Sequence, residues 1–174
     1  MRVRSVLAAS AVTTSLALLL PATLAVAAPQ DARATPTCRE AGVKVKATKT
    51  DQRTIVRITV ENTTRRTCVV DHVPTVTFGN LDGAAQPVPA TTSRPYTLRA
   101  GAKAHAKVRT VERPGDPSAR TVRTVSVATD PGHRGTSFGA GALGSPNGVK
   151  VYEPVTTWWH ATQALADRAL RRAG

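Results

Sequence analysis

Gly135-Thr136-Ser137-Phe138-Gly139 has the Gly-x-Ser-x-Gly form that, in α/β-hydrolases, lifts a nucleophilic serine on a sharp strand-to-helix turn. Overlapping it, Gly139-Ala140-Gly141-Ala142-Leu143-Gly144 has the Gly-x-Gly-x-x-Gly form of a dinucleotide-binding turn. Both chemistries need a helix directly after the glycines, and Ser145-Pro146-Asn147-Gly148 supplies a turn there instead. The two motifs therefore read as products of local glycine density, and no catalytic residue and no cofactor are expected. His72, His105, His133 and His160 stand far apart without pairs at ligand spacing, so no metal site is expected either. Asp71 could tune the imidazole of His72, but no serine or cysteine nucleophile is tied to that pair.

Binding residues are a better prospect. Between Ala102 and Arg109, Ala102, Ala104, Ala106 and Val108 alternate with Lys103, His105, Lys107 and Arg109. One face of this strand is small and apolar, and the other is the densest basic stripe on any expected strand. Such a stripe is either a binding face for an anion or the guard of an edge strand, where like charge prevents edge-to-edge pairing. Trp158 and Trp159 form the only aromatic cluster. One ring could meet a sugar or a partner while the other anchors the chain, or both could seal the end of the fold. Cys38 and Cys68 are the only cysteines, and an even count in an exported chain predicts a disulfide between them.

The elements that must carry these residues are mostly strands. In Thr54 to Val60, Val56, Ile58 and Val60 alternate with polar residues, the period of a half-buried strand. Asn62 to Arg66 then breaks the alternation with turn formers, and Val69, Val76 and Phe78 resume it up to the turn at Asn80-Leu81-Asp82-Gly83. Further strands are expected at Gly42 to Ala47, Ala102 to Val111, Thr121 to Thr129 and Gly148 to Glu153, the last stopped by Pro154. Pro87 and Pro89 confine their segment to an edge strand or a covering loop. Asp130 to Gly148 reads as a glycine-rich loop. From Thr157 the period changes to a helical one, with Trp158, Thr162, Leu165, Ala166, Ala169 and Ala173 on one face and His160, Gln163, Asp167 and Arg171 opposite. Thr156 or Thr157 would cap this helix.

The first residues bound the compartment. Arg2 and Arg4, an apolar run from Val6 to Leu20 and Ala25-Val26-Ala27 make a secretory leader over residues 1–27. Residues 28–37 would be a disordered lead-in, 38–156 the domain proper and 157–174 the terminal helix. No later apolar run is long enough to span a membrane. Without Arg2 and Arg4, the 24 Lys and Arg against 11 Asp and Glu leave a net charge of +11. Such a charge attracts anionic polymers, or only keeps the chain in solution. With aromatic residues at 3%, few rings are available for base stacking, so nucleic acid is not the expected partner.

Val60-Glu61-Asn62-Thr63-Thr64, Thr67-Cys68, Pro74-Thr75-Val76-Thr77-Phe78, Asp82-Gly83 and Leu98-Arg99-Ala100-Gly101-Ala102 occur in the order of a recurring pattern. In it an Asn-Thr turn, a Cys, a Pro-x-Val-x-Phe-like strand, an Asp-Gly turn and a Leu-x-x-Gly follow one another. The chain thereby resembles the secreted bacterial family catalogued as domain of unknown function 4232. The resemblance implies an immunoglobulin-like antiparallel β-sandwich, and the count of about seven short strands agrees with it. It carries over no catalytic residue, and the two further cysteines of many relatives are missing. The expectation is a secreted, non-enzymatic binding module of the cell envelope, its partner an anionic wall polymer or another envelope protein. The alternatives are a structural domain without a specific ligand and a small hydrolase using Ser137.

Overall fold

Alternation of branched apolar with polar residues carries most of the chain into strands, as a computed structural model shows for residues 34–90 and 94–173. The leader expected over 1–27 and the first part of the lead-in, 28–33, lie outside the described residues. After a short 3₁₀ turn at Glu40–Gly42 come β1 (Val43–Lys49), β2 (Ile55–Asn62), β3 (Cys68–Val70), β4 (Thr75–Phe78), β5 (Gln86–Val88) and β6 (Tyr96–Leu98). Then follow β7 (Lys103–Arg109), β8 (Arg120–Val122), β9 (Thr124–Ala128), β10 (Thr136–Gly139), β11 (Val149–Val151), β12 (Val155–Thr157) and α1 (Gln163–Arg172).

The largest sheet has the order β1-β2-β7-β12-β5; all its pairs are antiparallel except β12 with β5. A second sheet has the order β10-β9-β4, and β11 with β8 and β3 with β6 form two-stranded ladders. The alternation in β2 holds residue by residue: Val56, Ile58 and Val60 are buried. With Ala104, Ala106 and Val108 of β7 they form one core with Val76 and Phe78 of β4 and Val125 and Val127 of β9. Each such Val, Ile or Phe taken fully out of water contributes roughly 1.5–3 kcal/mol, so this shared core is what holds the sheets together. The all-β reading with one terminal helix stands.

Several expectations change in detail. The strand count is twelve among the described residues rather than about seven, because many ladders are only three residues long. The lead-in is not loose up to Thr37: Val69 donates to Pro36 O and Cys38 donates to Val69 O, pairing residues 36–38 with β3. The glycine-rich stretch contains β10, paired with β9. The last strand is β12, beyond Pro154, and not the one ending at Glu153. The helix accordingly starts at Gln163, six residues later than expected, with Thr162 rather than Thr156 or Thr157 accepting from Leu165 N as its cap. Thr156 and Val155 pair with β7, and His105 and His160 exchange backbone bonds of 2.8 Å, so strand pairing wins this segment from the helix.

Candidate functional site

Directly paired residues of antiparallel strands share a face, so the register shows what the outer side of the large sheet carries. Lys44 lies opposite Glu61 and Glu61 opposite Lys103; Lys46 lies opposite Thr59 and Thr59 opposite His105. Thr48 faces Arg57, Arg57 faces Lys107, and Ile55 faces Arg109. The alternation that buries Val56, Ile58 and Val60 therefore also gathers six cations from three strands on one outer surface. β7 lies between β2 and β12, so its basic stripe does not guard an edge. That reading is corrected: the fold places the stripe in mid-sheet because its alanines and Val108 are needed in the core.

The stripe is not uniformly open either. Helix α1 crosses it, burying Ala166 and Leu170 and setting Asp167 against Lys107 in an ion pair. Lys107 is 9% exposed, a lysine housed under a helix. Gln163 Nε2 donates to His105 Nδ1 at 3.0 Å and to Thr59 Oγ1 at 3.2 Å. Burial first, and then the charges of Lys103 and Arg57, hold the His105 pKa below its usual 6.5, consistent with a neutral ring that accepts at Nδ1. The helix faces inward differently from expectation: Leu165 is 38% exposed, while Gln163 and Asp167 turn toward the sheet. A polar, cationic floor is better matched by an amide and a carboxylate than by a leucine.

At the hairpin end of the same face the helix stops short, leaving an open cleft of about 810 Å³. Its floor is Ile55, Arg57, Lys107 and Arg109; the β1–β2 turn with Asp51 and Arg53, the segment Glu112 to Pro114, and Asp167, Leu170 and Arg171 of α1 form its walls. Sequence reading missed Arg53, Arg57 and Arg171, which come from three different elements. Their only signal was that Arg57 is the basic residue of the best-patterned strand.

The remaining candidates are dispersed. Trp159 is 4% exposed in the core, and half-buried Trp158 meets the ring of His72 edge-on at 6.3 Å, so neither indole stands free on the surface. His72 Nδ1 lies 2.6 Å from Asp71 Oδ1. Ser137 sits within β10 opposite Ser126, not on a strand-to-helix turn. Gly135 is explained by packing: its φ is +77°, and a Cβ there would lie 2.6 Å from the carbonyl oxygen of Val127. Cys38 and Cys68 form the expected disulfide. Among the described residues no group of three or more His, Cys, Asp or Glu could hold a metal ion, and no helix is long and apolar enough to cross a membrane.

The family model described as domain of unknown function (DUF4232) matches residues 38–159, from the first cysteine to the second tryptophan. The chain belongs to this family. The DUF4232 match covers every strand and the floor of the cleft but ends before α1, so the wall formed by Asp167, Leu170 and Arg171 lies outside it. No curated protein and no solved structure matches the chain.

Proposed function

We propose that the chain is an exported, non-enzymatic binding module of the bacterial cell envelope that holds an anionic wall polymer on the outer face of its large sheet. One observation carries this reading: Arg53, Arg57, Arg109 and Arg171 line one cleft, and among the described residues none of them is in an ion pair. The excess of 24 Lys and Arg over 11 Asp and Glu supports it by steering anions toward the surface. The disulfide and the lack, among the described residues, of a membrane-spanning helix are compatible with export.

Co-sedimentation with purified wall sacculi, with and without their attached anionic polymers and across a salt series, tests the proposal. Binding should require the polymers and weaken as salt screens the exposed charges. Protein that remains in the supernatant at every salt concentration would sink it.

A further inference from the structure

We infer that the cleft takes an acyclic polyol phosphodiester, a chain of phosphates joined by small hydroxylated units, rather than a polyanion built of rings; this rests on the anionic-polymer reading above. The argument starts from charge placement across β2 and β7. At one end of the pair Lys103 is matched by Glu61 directly opposite, at 3.6 Å. At the cleft end Arg57 stands directly opposite Lys107, with Arg109 two residues further along. Like charges directly opposite on a sheet are destabilising. Among the described residues Asp167 pairs with Lys107 and not with Arg57, and the Nε of Arg57 is buried without a hydrogen-bond partner. An arrangement that costs stability at one end of a strand pair and is compensated at the other is one that a bound anion would relieve.

The kind of cation narrows the ligand. The four unpaired groups are guanidiniums, whose planar donor forks match adjacent oxygens of a phosphate better than a lysine ammonium does. Among the described residues the lining contains no Trp, Tyr, Phe or His, so these residues offer no ring for a sugar or a base to stack on. About 810 Å³ is far more than one ion needs and has room for a short length of chain. Asp51 and Glu112 also line the cleft. They oppose a uniformly anionic ligand but accept hydrogen bonds from hydroxyls placed between phosphates, as Thr50 and Thr54 also can.

Titration calorimetry on the chain as isolated from its host, with soluble poly(glycerol phosphate) and with polygalacturonate of equal charge per chain, decides the matter. The phosphodiester should bind saturably and on the order of tenfold more tightly than the uronate, about one charge-assisted hydrogen bond in difference. Arg53→Gln with Arg109→Gln should weaken it about tenfold or more, whereas Arg65→Gln with Arg66→Gln, which removes the same charge from exposed positions in the turn after β2, away from the cleft, should change it less than about threefold. Arg171→Gln, in the exposed last turn of α1, gives a second cleft variant should the first fail to fold. Equal or tighter binding of polygalacturonate overturns the phosphodiester assignment while leaving the wall-polymer reading in place. Equal losses in the two double variants overturn the cleft as the site, and failure of both polymers to bind removes both readings.

Discussion

Asn62 ends β2 with its side chain fully buried, and every polar atom of it is used. Its Nδ2 lies 2.8 Å from Arg66 O, 3.0 Å from Leu98 O and 3.1 Å from Arg99 O, while Oδ1 accepts from Thr64 N and Thr64 Oγ1. One amide thus ties the end of β2 to the following turn and to the β6–β7 connection. Asn62→Ala leaves the buried Leu98 carbonyl without its donor and removes the bonds to the half-buried Arg66 and Arg99 carbonyls, and should lower unfolding free energy by roughly 2–3 kcal/mol. Asn62→Asp, which can accept but not donate, should do no better; urea denaturation of both variants checks this. The turn at Asn62 was legible in the sequence from residue types alone. Its bonds to Leu98 and Arg99 were not, because they join residues 36 and 37 positions apart. The same holds for the basic residues: Lys103, His105, Lys107 and Arg109 were legible as a stripe, but Glu61, Thr59, Gln163 and Asp167, the partners of the first three, belong to other elements.

Helix α1 is a short element held by few apolar groups, since only Ala166 and Leu170 of its ten residues are buried. Isolated helices of this length are marginal in water, so the helix depends on its docking. Asp167 is the one acid that it sets against the cationic sheet face. Asp167→Asn leaves the buried Lys107 ammonium beside Arg57 without a carboxylate, and should cost about 1–3 kcal/mol, less than for a fully buried pair because Asp167 is partly exposed. Lys107→Met combined with Asp167→Leu should lose less than Asp167→Asn alone, because neither member of the pair then remains as an unanswered buried charge. Chemical denaturation of the three variants is the check, and a double variant less stable than Asp167→Asn would contradict the account. The helical period was visible from Thr157 onward, but periodicity alone assigns the apolar side to the core. It could not register that the surface waiting for this helix is itself polar.

Across the molecule, the Cys38–Cys68 bond closes a loop with a sequence separation of 30 that contains the whole β1–β2 hairpin, one wall of the cleft. Cys38→Ala with Cys68→Ala should lower stability by about 3–4 kcal/mol, mainly through the entropy regained by the unfolded chain. A melting curve of the double variant that coincides with that of the unaltered protein would contradict this. Both sulfurs belong to the shared core, so the same change also removes packing at the end of β3.

The sequence by itself determined the family, the β class, the faces of β2 and β7, the cysteine pair and the charge excess. Each of these follows from residue type or from spacing within one short segment, where the strand period of two is fixed by backbone geometry. Only the tertiary structure decided that β7 runs in mid-sheet and that Lys107 is covered while Arg57 and Arg109 line an open cleft with Arg53 and Arg171. Register between β2 and β7, and the docking of α1 across them, are set by packing between segments distant in sequence. That packing selects which of the many cations stand together and unpaired.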